Sequence, residues 1–384
     1  MRKLKDIYFR LKSRIKRIGL INILWIYLKK IRYGYVVYKR ILDKYGKDTQ
    51  IYIEHYPGTG DIYITCALLE SYRQKCGDNR PYVVTIIGEG SAKIVRLLGI
   101  DHVELLSQDE SDLLITFYRF VGNVIPNITI LHYAPIAMHT RITDSLAGYN
   151  ELDFMSMYLA TVFPGVTWED AVHFPDVAGD GEIREYFDEK GLVPGKTVVL
   201  FPFANTIEHL PWHLWEELAR RLRERGFSVC TNVEPGGPVV PGTSGIFVPY
   251  HHLREFVNQA GFVVGLRSGI FDIIADTECT KFVLYPTPNV YKFGVGTIFD
   301  YFSLLKMGLC GNVIEYEFER IYAREAFAVL YGDICAVANE VPLLTKRQFR
   351  ESTEAFSMNH VHRYQGKGEV EYSQTFSVGP TNNK

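Results

Sequence analysis

Four short stretches combine turn-forming residues with side chains able to do chemistry. The first is Tyr56-Pro57-Gly58-Thr59-Gly60-Asp61, three turn-formers after an apolar strand pattern and then a carboxylate where a helical pattern begins. Gly58, Thr59 and Gly60 let the backbone approach a ligand closely. Asp61 at that point can act as a general base or cap the helix. The second is Gly265-Leu266-Arg267-Ser268-Gly269-Ile270, between an apolar run and a helical pattern that contains Asp272. Backbone N–H groups at such a strand-to-helix turn suit a phosphate, and Arg267 adds a planar donor fork matched to a diphosphate. The third, Phe201 to His209, carries Asn205, Thr206 and His209 after another strand pattern; the fourth, Thr231 to Pro235, carries Asn232 and Glu234, where a base or ribose can be read.

These stretches need scaffolding that places them together. After residue 50, strand and helix patterns alternate: Ile51–His55, a helix from Asp61 to the stop at Gly77, and the β-branched run Pro81–Ile87. Further strands fall at 103–106 and 127–133, and helical signals cover 144–163. A looser segment around Pro164, Pro175 and Gly181 separates this from a second alternating block, 197 to about 286. Continuous apolar strands with crossover helices predict two doubly wound, Rossmann-like parallel-sheet domains, which take ligands at the carboxyl ends of their strands. The boundaries expected are 1–48 for a basic arm, 49–180 and 181–345 for the two domains, and 346–384 for a polar, weakly ordered tail.

Charge singles out the arm. Residues 1–50 hold 15 Lys/Arg against three Asp, while the remaining 334 residues hold 27 basic and 41 acidic side chains. Leu4, Ile7, Tyr8, Leu11 and Ile15 recur at helical spacing, and Ile18 to Leu28 form an eleven-residue run without charge, closed by Lys29, Lys30 and Arg32. Eleven residues fall short of the roughly 20 needed to cross a bilayer. A basic, Trp- and Tyr-bearing amphipathic helix suits the surface of an anionic membrane. The alternative is a helix packed on the body with its basic face solvated. An acidic body without a nucleic-acid motif argues against nucleic acid as the partner.

Several chemistries lack support. GxGxxG fails after Gly60, and GK[ST], HExxH, GxSxG, an EF-hand loop and a CxxC pair are all absent. No metal or cofactor is therefore expected. The six scattered cysteines read as reduced, mostly buried thiols.

YPGTGDIYITCALLESYRQ resembles the opening βα turn of bacterial ADP-heptose:lipopolysaccharide heptosyltransferases, in which a glycine-aspartate pair starts the first long helix. PWHLWEELARRLRERGFSVC, followed by VPYHHLREFVNQAGFVVGLRSGIFDIIA, resembles the second domain of that family, glycosyltransferase family 9. GLRSG is also similar to a turn of fucosyltransferases that use GDP-fucose. The resemblance covers about residues 50–290. It implies a GT-B glycosyltransferase with 49–180 as the acceptor domain and 181–345 as the nucleotide-sugar donor domain, with no metal requirement and an inverting transfer from a nucleotide sugar. Asp61 matches the family's catalytic base, and Ser268 and Gly269 its diphosphate turn. Arg267 stands where the family has an acidic residue, Asp272 where it has His, and Glu208-His209 near its Lys.

The expectation is then a cytoplasmic enzyme, peripheral on the inner face of the cell membrane. Its acceptor would be lipid-linked or an oligosaccharide, in capsule, O-antigen or lipopolysaccharide synthesis. The alternatives are another group transferase on the same scaffold, or a non-catalytic partner in glycan assembly.

Overall fold

The computed structural model describes residues 2–56, 58–122, 124–132, 152–174, 181–205, 207–287, 296–309, 312–339 and 361–366. The chain divides into two units, residues 1–57 with 73–139, and residues 58–72 with 140–384. The domain boundary expected near residue 180 does not follow this division. Gly58–Tyr72 groups with the later unit because the first turns of its helix contact residues far along the chain.

Unit 1 has helix α1 (Arg2–Tyr45), strand β1 (Gln50–Ile53), the end of α2 (Thr59–Cys76), β2 (Tyr82–Ile87), α3 (Glu89–Leu97), β3 (Val103–Leu106), α4 (Gln108–Val121) and β4 (Ile128–Ile130). Its sheet is parallel in the order β3-β2-β1-β4. The apolar runs read as strands are buried, with Ile51, Ile53, Val83, Ile128 and Ile130 in one core with Leu114 and Phe117 of α4.

The arm divides within α1. Val37 and Ile41 belong to the same core, and Ile31, Tyr38, Leu42 and Tyr45 pack against it. A Cβ at Gly34 would overlap the Leu113 carbonyl and the Phe117 side chain, so glycine is what lets α1 lie directly on α4. Polar contacts fix the register: Tyr38 donates to Asn127 (2.9 Å), and Lys44 pairs with Glu104 (2.6 Å). Of the membrane-associating arm expected over 1–48, the last third packs into the unit 1 core. Upstream, Ile21, Ile23, Leu24, Trp25, Ile26, Tyr27 and Leu28 are each at least half exposed.

Unit 2 contains α5 (Phe154–Thr161), α6 (Gly181–Lys190), β5 (Thr197–Phe201), α7 (Trp212–Glu224), β6 (Ser228–Asn232), β7 (Ser244–Ile246), α8 (Tyr250–Ala260), β8 (Gly261–Leu266), α9 (Gly269–Ile273), β9 (Thr280–Thr287), α10 (Ile298–Phe302), β10 (Val313–Glu319), α11 (Ala323–Ala338) and β11 (Val361–Gly366). Its sheet runs β11-β10-β9-β8-β5-β6-β7, parallel except for the β10–β11 pair. The two parallel α/β sheets bear out the doubly wound class.

The polar tail is corrected at one place. Val361–Gly366 forms an antiparallel edge strand, anchored by the buried ion pair Arg363–Asp333 (2.8 Å) and by Tyr364 stacked on Phe299 (4.2 Å between centroids). The 144–163 helical signal survives as α5; its first residues, 144–151, lie outside the described ones. Cys66, Cys230 and Cys279 are buried and Cys76 is exposed.

Candidate functional site

In unit 2 the strand order reverses at β5, with β6 on one side and β8 on the other. The carboxyl ends of strands at such a reversal are where open parallel sheets take ligands. A cavity of about 560 Å³ lies there. Phe203 and Asn205 enter it from beyond β5, Asn232 and Glu234 from the end of β6 and just past it, Arg267 and Ser268 from beyond β8, and Gly269 and Asp272 from α9. Gly58 and the first turn of α2, Thr59 to Asp61, form another part of the lining. Four stretches distant in sequence therefore meet around one space.

The close approach of two turns depends on glycine. A Cβ on Gly60 would overlap the Asp272 carboxylate and lie 3.1 Å from the Gly269 Cα; one on Gly269 would overlap the Gly60 amide. The starts of α2 and α9 thus meet backbone to backbone, and the leading N–H groups of a helix have no intrahelical acceptors.

Asp61 is the third residue of α2, within its first turn, rather than the N-cap. Its Oδ1 accepts from the Tyr158 hydroxyl at 3.4 Å, and the carboxylate lines the cavity. Burial pushes its pKa up to about 7, and the nearby Asp272 carboxylate adds to the rise. A carboxyl poised there can hold or take a proton near neutral pH.

Arg267 does not present an unengaged cation. Its Nε donates to the Phe302 carbonyl (2.8 Å), and Nη1 donates to the Ser268 carbonyl (2.6 Å) and to Asp272 Oδ2 (3.2 Å). Nη2 donates to Asp272 Oδ1, so the pair is bidentate, and both side chains are buried. Burial pushes the Asp272 carboxyl up and the guanidinium pulls it back. Arg267, expected to contact a diphosphate, has its fork occupied by Asp272 and two carbonyls. Asp272, read as a donor-binding residue, is likewise the other half of this ion pair. Among the described lining residues Arg267 is the only Lys or Arg, against the carboxylates Asp61, Glu234 and Asp272.

The other expected residues divide. Asn205 and Glu234 are exposed at the rim, and Asn232 accepts from the Val248 amide at 3.4 Å. Thr59 lies 3.4 Å from the Tyr250 hydroxyl. Ser268 precedes α9 without a side-chain cap bond. His209 is corrected: it is exposed, lies edge-on to Phe203 (5.5 Å) and is not in the lining. Thr206 lies outside the described residues. Sequence reasoning missed Tyr158, which is 97 positions from its partner Asp61, and the aromatic wall of Phe154 and Phe302 (5.1 Å apart). No local motif marks either. Among the described residues, no group of three or more His, Cys, Asp or Glu side chains is arranged to hold a metal ion.

No family model matches the sequence, and no curated protein matches it. Solved structures similar to the chain include the glycosyl transferase family 9 protein from Veillonella parvula, at 11% identity and a TM-score of 0.45, covering 80% of this chain and 97% of that one. Another is the E. coli ADP-heptose lipopolysaccharide heptosyltransferase II, at 11% identity and 0.45, covering 69% and 89%. A third is an E. coli heptosyltransferase with ADP-2-deoxy-2-fluoro heptose, at 12% identity and 0.37, covering 68% and 97%. Likenesses this remote assign neither activity nor substrate.

Proposed function

We propose that the protein is an inverting, metal-independent glycosyltransferase that moves a sugar from a nucleotide-sugar donor to an acceptor hydroxyl. The observation that carries this reading is Asp61, whose carboxyl is pushed up to about 7 and lines the cavity at the strand-order reversal of unit 2. In the reaction, the Asp61 carboxylate takes the proton of the acceptor hydroxyl as its oxygen bonds to the anomeric carbon. The bond from that carbon to the phosphate oxygen breaks, and its electron pair leaves with the nucleoside diphosphate. The diphosphate is held mainly by backbone N–H groups at the start of α9, with Ser268 and Gly269 in the lining. The Arg267–Asp272 ion pair braces that turn. Asn232, Glu234 and Asn205 sit where ribose and base are read.

The acceptor is a lipid-linked or oligosaccharide precursor of a bacterial surface glycan, and the protein works on the cytoplasmic face of the membrane. Support comes from α1: its apolar residues 21–28 are exposed and are followed by Lys29, Lys30 and Arg32. Among the described residues no helix is long and apolar enough to cross a membrane. Binding along the anionic surface is the arrangement such a helix favours.

The test is release of the nucleotide leaving group, a nucleoside diphosphate from UDP-, GDP- and ADP-sugars or CMP from CMP-sugars, with and without EDTA. Turnover of one donor that survives EDTA supports the reading. Turnover restored only by Mg²⁺ or Mn²⁺ would refute metal independence, and no release from any donor would refute the reaction.

A further inference from the structure

Helix α5 brings two aromatic side chains to the site, and the reaction above gives neither of them a part. Asp153 caps this helix, accepting from the Ser156 amide at 2.8 Å and from Ser156 Oγ at 2.7 Å. Phe154, in the first turn, lines the cavity and packs against Phe302 at 5.1 Å and Tyr301 at 5.6 Å between centroids. One turn further on, Tyr158 meets Phe154 edge-on at 4.8 Å. Tyr158 is fully buried, and its hydroxyl donates to Asp61 Oδ1 at 3.4 Å. The cap and the aromatic contacts fix where that hydroxyl stands.

The groups that face the Asp61 carboxyl come from three helices and the turn before α9. Burial and the Asp272 carboxylate of α9 favour its protonated form. Its own backbone N–H in α2, the Tyr158 hydroxyl of α5 and Arg267 ahead of α9 favour the ionised form. Among the described residues Tyr158 is the one side chain that hydrogen-bonds this carboxylate. A donor to a charged oxygen stabilises the charged state more than the neutral one. Oδ2 lies on the Gly58 side: a Cβ on that lining residue would overlap it.

We infer that Tyr158 is a positioning residue for the base: its hydroxyl holds Asp61 through Oδ1, favours the ionised carboxylate and leaves Oδ2 to take the acceptor proton. This role rests on the reading of Asp61 as the base. Tyr158 keeps its own proton throughout, and the proton of the acceptor hydroxyl ends on Asp61.

Calorimetric melting of the full chain from pH 4 to 9 tests this, with wild type, Tyr158→Phe, Asp61→Asn and the double variant. Tyr158→Phe removes one oxygen and keeps the ring against Phe154. Without its donor the folded Asp61 carboxyl should titrate about half to one pH unit higher, since a bond this long sits at the weak end of its class. A carboxyl raised above its unfolded value loses stability as pH climbs toward its folded pKa. The variant should therefore fall further behind wild type at pH 9 than at pH 4, and that extra loss should vanish in the Asp61→Asn background. A deficit equal at both pH values, or unchanged in the Asp61→Asn background, is a packing loss and overturns the inference.

Kinetics of nucleotide release give the second readout. In Tyr158→Phe, kcat/KM should be about three- to eightfold below wild type at pH 6.5, with its midpoint moved up by the same half to one unit. Affinity for the nucleotide product should stay unchanged. Site-specific 3-fluorotyrosine at position 158, a more acidic donor that keeps the hydroxyl, should move the midpoint down. Release with a midpoint that neither change moves removes the role of Tyr158 and leaves the reaction. An Asp61-dependent shift in melting without release from any donor keeps the coupling of Tyr158 to Asp61 and removes the reaction.

Discussion

Replacing Asp61 by asparagine should move activity and stability in opposite directions. The side chain keeps its size but can no longer take a proton, and loss of a general base costs about 10²–10⁴ in rate, or roughly 3–5 kcal/mol of transition-state stabilisation. Stability follows from the shift of this carboxyl from 3.8 to about 7. The folded state binds that proton more tightly than the unfolded chain, so folding stability falls as pH rises from about 4 to about 7. At pH 8 the ionised Asp61 then costs up to about 4 kcal/mol, a cost that asparagine escapes. Asp61→Asn should therefore melt several degrees higher than wild type at pH 8 and nearly with it at pH 4. Wild-type kcat/KM should rise tenfold per pH unit to a plateau near pH 7, where an ordinary aspartate would level off below pH 5. Diphosphate-release kinetics across pH and calorimetric melting of both proteins read the two effects. A variant that keeps near-full turnover, with a wild-type profile flat above pH 5 and unchanged melting, would refute the reasoning.

Arg267→Ala should strand the buried Asp272 carboxylate and destabilise the protein by about 3–5 kcal/mol, whereas the double change Arg267→Leu with Asp272→Leu should recover most of that in urea unfolding. Gly269→Ala should cost about 1–3 kcal/mol because its Cβ would meet the Gly60 backbone. Gly90→Ala in α3, with nothing within 4 Å, should be neutral or stabilise by about 0.5–1 kcal/mol. Removing residues 1–28 should abolish flotation with anionic liposomes at low salt and leave the melting temperature in place. Removing 1–46 should also unfold unit 1, since it takes Val37 and Ile41 from the core, each worth about 1.5–3 kcal/mol of burial. Flotation that persists without residues 1–28 would move membrane binding elsewhere on the chain.

Much of the site could be read locally. A residue just after a β-branched run and before a helical pattern must lie at the carboxyl end of a strand, because both patterns are set by neighbours in sequence. That placed Gly58 to Asp61, Asn205, Asn232, Glu234 and Ser268-Gly269 at strand ends, and all of them line the cavity. The same reasoning could not say what a charged side chain there would be doing. Arg267 and Asp272 are only five positions apart, yet whether a guanidinium meets a ligand or a buried carboxylate depends on the packing around it.

The sequence by itself determined the alternation of elements, the parallel class of both sheets and the strand ends that carry polar residues. These follow from periodicity and from the buried, β-branched runs. Tertiary structure decided the rest. Tyr158 reaches Asp61 across 97 positions, the last third of the basic arm becomes core because Gly34 admits it against α4, and a polar tail segment becomes a strand because Asp333 neutralises its buried arginine. Each depends on a partner distant in the chain, and on the desolvation of a charge that no local pattern records.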